Sequence, residues 1–128
     1  ESIFPDFTSA FVKEGAELIT VVTNNSWYGR SSGPYQHKEF SRLRAVENRR
    51  SLVFAANGGV SLVTNPLGET IVETDLFTRD VVTTEVTLNS DLTFYTKHPL
   101  IIPVLVSVVS LWIFGMFVLV KLKNKWKS

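Results

Sequence analysis

Residue types suited to chemistry crowd together in Thr23-Asn24-Asn25-Ser26-Trp27-Tyr28-Gly29, and Gly33-Pro34-Tyr35-Gln36-His37 follows a few positions later. Side-chain amides and hydroxyls orient polar groups, while Trp27 and Tyr28 offer broad apolar faces with a polar edge. The imidazole of His37 can hold or pass a proton near neutral pH. Gly29 and Gly33 permit positive φ, and Asn and Ser side chains bond nearby backbone, which accounts for a loop. It does not account for two adjacent large aromatics. Two readings stand. Asn24, Trp27 and Tyr28 line a site with His37 as a pocket residue, or the aromatics cap the core beneath them and His37 is structural. Asn24-Asn25-Ser26 also matches a glycosylation acceptor, a weak signal.

Much other chemistry is excluded. The 128 residues contain no cysteine, which rules out disulfides, thiolate metal sites and a thiol nucleophile within this chain. His37 and His98 are the only histidines and lack ligand spacing, so neither a metal site nor another cofactor is expected. No Gly-x-Ser-x-Gly elbow and no Gly-rich phosphate loop is present. A net charge of +1 gives no electrostatic case for a nucleic-acid partner.

The elements that position the loop follow from periodicity. Pro5 suits a first helical position, and Phe4, Phe7 and Phe11 recur on one helical face read as core packing, with Gly15 closing the helix. Leu18–Val22 is short, β-branched and apolar, which fits a strand covered on both faces in an α/β architecture. A second helix runs from Pro34 to Arg50, capped by Ser32 or Gly33; its arginines read as a solvated or subunit-facing surface. Ser51–Ala56 is a second apolar strand. Val60–Thr64 and Thr70–Thr74 flank Asn65-Pro66-Leu67-Gly68, a type I turn and hence a hairpin. Val81–Leu88 alternates like a further strand.

Leu100–Val120 contains no charged residue and, as a helix, spans about 30 Å, the thickness of a bilayer core. Lys121, Lys123, Lys125 and Lys127 follow it, against Lys97 on the other flank. The expected organisation is a domain over 1–97, a transmembrane helix over 98–120 and a basic tail over 121–128. The positive-inside rule puts the tail in the cytoplasm and 1–97 in a bacterial periplasm, which makes the inner membrane the expected location. A first residue Glu1, rather than Met, reads as a removed segment or a fragment.

Taken together, these residues resemble the C-terminal part of the apolipoprotein N-acyltransferases, membrane-embedded members of the nitrilase (carbon-nitrogen hydrolase) superfamily. The resemblance covers essentially the whole chain. It rests on Phe4-Pro5, Gly15-Ala16, Thr23-Asn24, Trp27-Tyr28-Gly29 and Gly33-Pro34 with Gln36-His37. It continues through Arg42-Leu43-Arg44-Ala45 with Glu47, Ala56-Asn57 with Gly59, and Leu92-Thr93-Phe94-Tyr95. Asn25 stands where that family usually has an acidic residue, Phe54 where it often has Arg, and Lys97-His98 where Arg-Gly is more usual.

The resemblance implies an α/β fold, the C-terminal part of an αββα sandwich followed by one transmembrane helix. It implies acyl transfer through a thioester: a cysteine attacks a phospholipid ester, and the acyl chain passes to the α-amine of a diacylglyceryl-cysteine lipoprotein. Glu1 is similar to the glutamate of the family's Cys-Tyr-Glu, which places the nucleophile two positions upstream and the rest of the Cys/Lys/Glu triad further upstream. No catalytic residue is then expected within this chain; Glu1, Asn24, Trp27, Tyr28 and His37 border the site, and the N-terminal half of the same enzyme is a partner. The competing readings are a membrane-tethered nitrilase-type amidase and a catalytically empty, tail-anchored binding protein.

Overall fold

The computed structural model describes residues 2–125 and divides into two compact units, Glu1–Lys97 and His98–Ser128. In the first unit, Pro5 presets φ in the opening turn of α1 (Pro5–Lys13), and Gly15 at φ 99° turns the chain out of it. The buried side of α1 is Thr8, Ser9 and Val12. Phe4, Phe7 and Phe11 are 63%, 43% and 56% exposed, so their assignment to the core is overturned. The reason is steric. Small side chains let α1 approach α2 (Gly33–Asn48) closely enough for Ser9 Oγ to donate to Asn48 Oδ1 at 3.1 Å, an approach that phenyl rings would block. Phe7 and Phe11 instead meet each other edge-on, with centroids 5.0 Å apart.

β1 (Leu18–Asn24) and β2 (Ser51–Asn57) pair in parallel from Leu18↔Ser51 to Asn24↔Asn57, with α2 crossing between them. β3 (Leu62–Thr64) and β4 (Thr70–Glu73) continue antiparallel from β2, giving the sheet order β1-β2-β3-β4. The hairpin turn forms as its residues dictate. Gly68 N donates to Asn65 O at 3.0 Å, Asn65 Oδ1 accepts from Leu67 N and Glu69 N, and Gly68 adopts φ 80°.

Val12, Ile19, Ala45, Leu52, Phe54 and Leu62 form the core between the helices and one face of the sheet. β1 is only half covered: Ile19 is buried while Val22 is 81% exposed. The expected double coverage is therefore absent within the described residues, because α1 and α2 pack on the face that carries Ile19, Leu52 and Phe54, and Val22 points to the other face. Val81–Leu88 joins no ladder in the described structure, and its alternation alone makes no strand.

The charges of α2 divide. Arg42 is partly exposed and pairs with Glu39 at 3.1 Å, as a solvated face requires. Arg44 is buried and grips Glu47 through both Nε, at 2.8 Å, and Nη2, at 2.9 Å. Arg50, just past the left-handed cap at Arg49, is wholly buried and donates to the carbonyls of Ala16, Asn48, Arg49 and Asp91. These two belong to the interior, contrary to the surface reading. A short helix α3 (Phe94–Lys97) ends the first unit.

The second unit holds α4 (Ile101–Lys125), in which Ile101–Leu119 is long and apolar enough to cross a membrane and none of it is buried. Pro103 lies in its first turn, where a missing N–H costs little, and its carbonyl accepts from Ser107 Oγ at 2.8 Å.

Candidate functional site

The parallel strands end together at Asn24 and Asn57, and the loop that follows is built from that edge. Asn24 Oδ1 accepts from Ser26 N at 3.1 Å and from Asn57 Nδ2 at 3.3 Å. Asn25 N donates to Asn57 O at 2.9 Å, and Asn25 O accepts from Tyr28 N at 3.1 Å, closing a single tight helical turn over Ser26–Tyr28. Gly29 at φ 57° redirects the chain, and Tyr28 folds over Gly33 so closely that a Cβ there would lie 2.5 Å from Tyr28 Cδ1. Trp27 is left 78% exposed and Tyr28 46% exposed. Trp27 therefore caps no core within the described residues; it stands in solvent at the carboxyl ends of two parallel strands, where α/β folds place ligand sites.

His37, in the first turns of α2, reaches back to this loop. Its Nδ1 lies 3.0 Å from Asn25 Oδ1, and its ring meets Phe54 edge-on at 5.2 Å. Partial burial holds the imidazole below its ordinary pKa, which favours the neutral ring with a proton on Nδ1 donated to Asn25. Asn25 is buried, and its Nδ2 has no hydrogen-bond partner in the described structure. That amide packs against Gly59, where a Cβ would come within 2.9 Å of Nδ2. His37 also lines a groove of about 610 Å³ along the open side of β1, together with Ser2, Phe11, Val12, Ile19 and Thr23.

The sequence-expected residues are thus partly united. Asn24, Trp27 and Tyr28 share one loop; His37 joins it only through Asn25; Glu1 lies outside the described residues. Asn25, Arg30 and Phe77 were not among the expected site residues. For Asn25 a signal existed. In Asn24-Asn25-Ser26 only one amide can cap the turn, and once Asn24 does so the second is free to bind elsewhere. Phe77, at φ 60° beneath Arg30, left no sequence signal. Among the described residues no set of three His, Asp or Glu side chains is grouped to hold a metal.

Comparison with known proteins agrees with this architecture. The sequence profile of the carbon-nitrogen hydrolase family matches residues 1–90. The apolipoprotein N-acyltransferase of Chlorobaculum tepidum is 48% identical over 103 residues, 80% of this chain and 19% of the relative. That of Geobacter metallireducens is 42% identical over 98 residues, 77% of this chain and 19% of the relative. That of Wigglesworthia glossinidia brevipalpis is 33% identical over 122 residues, 95% of this chain and 24% of the relative. The chain spans about a fifth of the length of the curated relatives it matches. With an α/β unit built on a four-stranded sheet, an apolar C-terminal helix and a family match over most of its length, the chain belongs to the carbon-nitrogen hydrolase family.

Proposed function

We propose that this chain is the C-terminal part of an apolipoprotein N-acyltransferase and supplies one wall of its active site. The observation that carries the reading is the 48% identity to the Chlorobaculum tepidum enzyme across 80% of the chain. The exposed Trp27 and Tyr28 at the strand ends support it, since an acyl chain needs broad apolar contact beside polar groups that fix its ester.

In this reading a carboxylate upstream of Glu1 takes the proton of a cysteine thiol. The thiolate attacks an ester carbonyl of a phospholipid, and lysophospholipid leaves as the alcohol, taking that proton. The resulting thioester is attacked by the α-amine of a diacylglyceryl-cysteine lipoprotein; the amide forms and the thiol is restored. Splitting the transfer in two suits a nucleophilic thiolate, and an upstream lysine stabilises each oxyanion, an effect of about 3–4 kcal/mol in such sites. Glu1, Asn24, Trp27, Tyr28 and His37 border this chemistry without performing it. The open edge of β1 and its groove of about 610 Å³ receive the upstream half of the same enzyme. Ile101–Leu119 crosses the bacterial inner membrane, with residues 1–97 in the periplasm and the Lys-rich end in the cytoplasm.

The test uses the complete polypeptide in membranes, a phospholipid donor and a diacylglyceryl-cysteine peptide acceptor. Trp27→Ala is expected to lower kcat/KM at least ~10-fold, a loss of about 1.4 kcal/mol in transition-state binding. Unchanged transfer would remove the loop from the mechanism. Hydrolysis of soluble amides with no transfer to the lipopeptide would replace the acyltransferase by an amidase.

A further inference from the structure

Phe77 holds φ 60°, a left-handed backbone that a bulky side chain adopts only where its surroundings over-determine it. Those surroundings are identifiable. Thr74 N donates to Ser61 O at 2.9 Å on one side, and Thr78 Oγ1 donates to Asp75 O at 2.8 Å on the other. The ring edge rests at Gly58, where a Cβ would come within 3.2 Å of Phe77 Cε1 and 2.8 Å of Ser26 Cα. The guanidinium of Arg30 lies over the ring, 5.6 Å from its centroid. Ser26 opens the turn that carries Trp27, and Gly29-Arg30 leads out of it. One ring therefore abuts both ends of that turn, through Gly58 at the start and through a cation at the finish. Among the described residues no carboxylate lies within ion-pair distance of Arg30, which leaves the ring face as its electrostatic partner. Core anchoring does not account for the arrangement, because Phe77 is 43% exposed and lies outside the buried core cluster.

We propose that Phe77 and Arg30 are positioning residues, a clasp across the two ends of the Ser26–Tyr28 turn that fixes Trp27 in its working position. Its effect on turnover rests on the acyl-transfer reading; its effect on the Trp27 environment does not. In the complete polypeptide, Phe77→Leu and Arg30→Met should each lower kcat several-fold while the unfolding midpoint stays near that of the wild type. Phe77→Tyr and Arg30→Lys keep the ring and the cation and should recover most of the activity. In a Trp27→Ala background, Arg30→Met should cost nothing more, since both act through the same side chain. Losses that add fully in that background, or an unchanged kcat in both single variants, would overturn the clasp. A fluorinated tryptophan at position 27 supplies a readout independent of catalysis: its resonance should shift or broaden in Phe77→Leu and Arg30→Met. An inactive wild type would sink the acyl-transfer reading and leave this measurement intact, whereas a resonance unmoved by both substitutions would sink the clasp itself.

Discussion

The two ends of α2 carry polar networks of opposite character. At the C-terminal end the network is extensive, and its centre, Asn48 and Arg50, is wholly buried. Asn48 Oδ1 accepts from Ser9 Oγ at 3.1 Å and Thr96 Oγ1 at 2.9 Å, while its Nδ2 donates to Arg44 O at 3.0 Å. Thr93 Oγ1 donates to Glu47 O at 2.7 Å, and Arg50 ties Ala16 O to Asp91 O. At the N-terminal end the network is short and incomplete: His37 meets Asn25, Asn25 Nδ2 has no partner among the described residues, and Trp27 beyond stands in solvent. A fully satisfied buried network fixes a unique packing, whereas a partly satisfied one next to exposed rings is marginal in stability and free to serve binding. One helix thus anchors the unit at one end and faces the candidate site at the other.

The largest expected effect tests the anchored end. Arg50→Met leaves four carbonyls without their shared donor, and two of them belong to segments distant in sequence, Ala16 and Asp91. The loss should be about 3–4 kcal/mol in denaturant unfolding of the complete polypeptide. Arg50→Lys restores a charge but not the fork, and should recover less than half of it. A loss under about 1 kcal/mol would mean water replaces the guanidinium, and the contrast between the two ends would collapse.

At the site end the expected stability effect is smaller and the functional one larger. Asn25→Ala removes the Oδ1 acceptor of His37 but also the orphaned Nδ2, two changes of opposite sign. A net loss of about 1 kcal/mol is expected, with the proposed acyl transfer falling further than the folded fraction explains. Activity that simply tracks the folded fraction would make Asn25 a structural residue and bring the two ends closer in kind.

How much of this was legible in the sequence divides along the same line. The hairpin at Asn65-Pro66-Leu67-Gly68 and the start of α2 near Pro34 were readable because their chemistry is local to a few residues. Arg50–Asp91 and Asn48–Thr96 join residues 41 and 48 positions apart, and no periodicity announces such pairs. The phenylalanines of α1 misled for a related reason. Their spacing of three and four defines a face, but which face turns inward was decided by Ser9 reaching Asn48. The loop stood out as a candidate site by its aromatics; its contacts with His37 and Phe77 join segments distant in sequence, which spacing cannot encode.

The finest test of the comparison is the dependence of stability on pH, because the two ends should slope in opposite directions. Burial lowers the His37 pKa from 6.5, so just below that pH the unfolded chain binds a proton that the folded chain refuses. Stability contributed there is complete above pH 6.5 and lost as pH falls through the folded value. At the other end, burial raises the Glu47 pKa from 4.5 against the opposing pull of Arg44 and Tyr95. Here the folded chain keeps a proton the unfolded chain has released, so this contribution is complete below pH 4.5 and lost as pH rises through the folded value. His37→Gln should therefore flatten the loss of stability on acidification below pH 6.5, and Glu47→Gln should flatten the decline that sets in above pH 4.5. Unfolding midpoints of the two variants and the parent across this range decide the matter. Difference profiles with the same sign would mean that the ends of α2 share one electrostatic environment, and the division of labour along the helix would have to rest on hydrogen bonding alone.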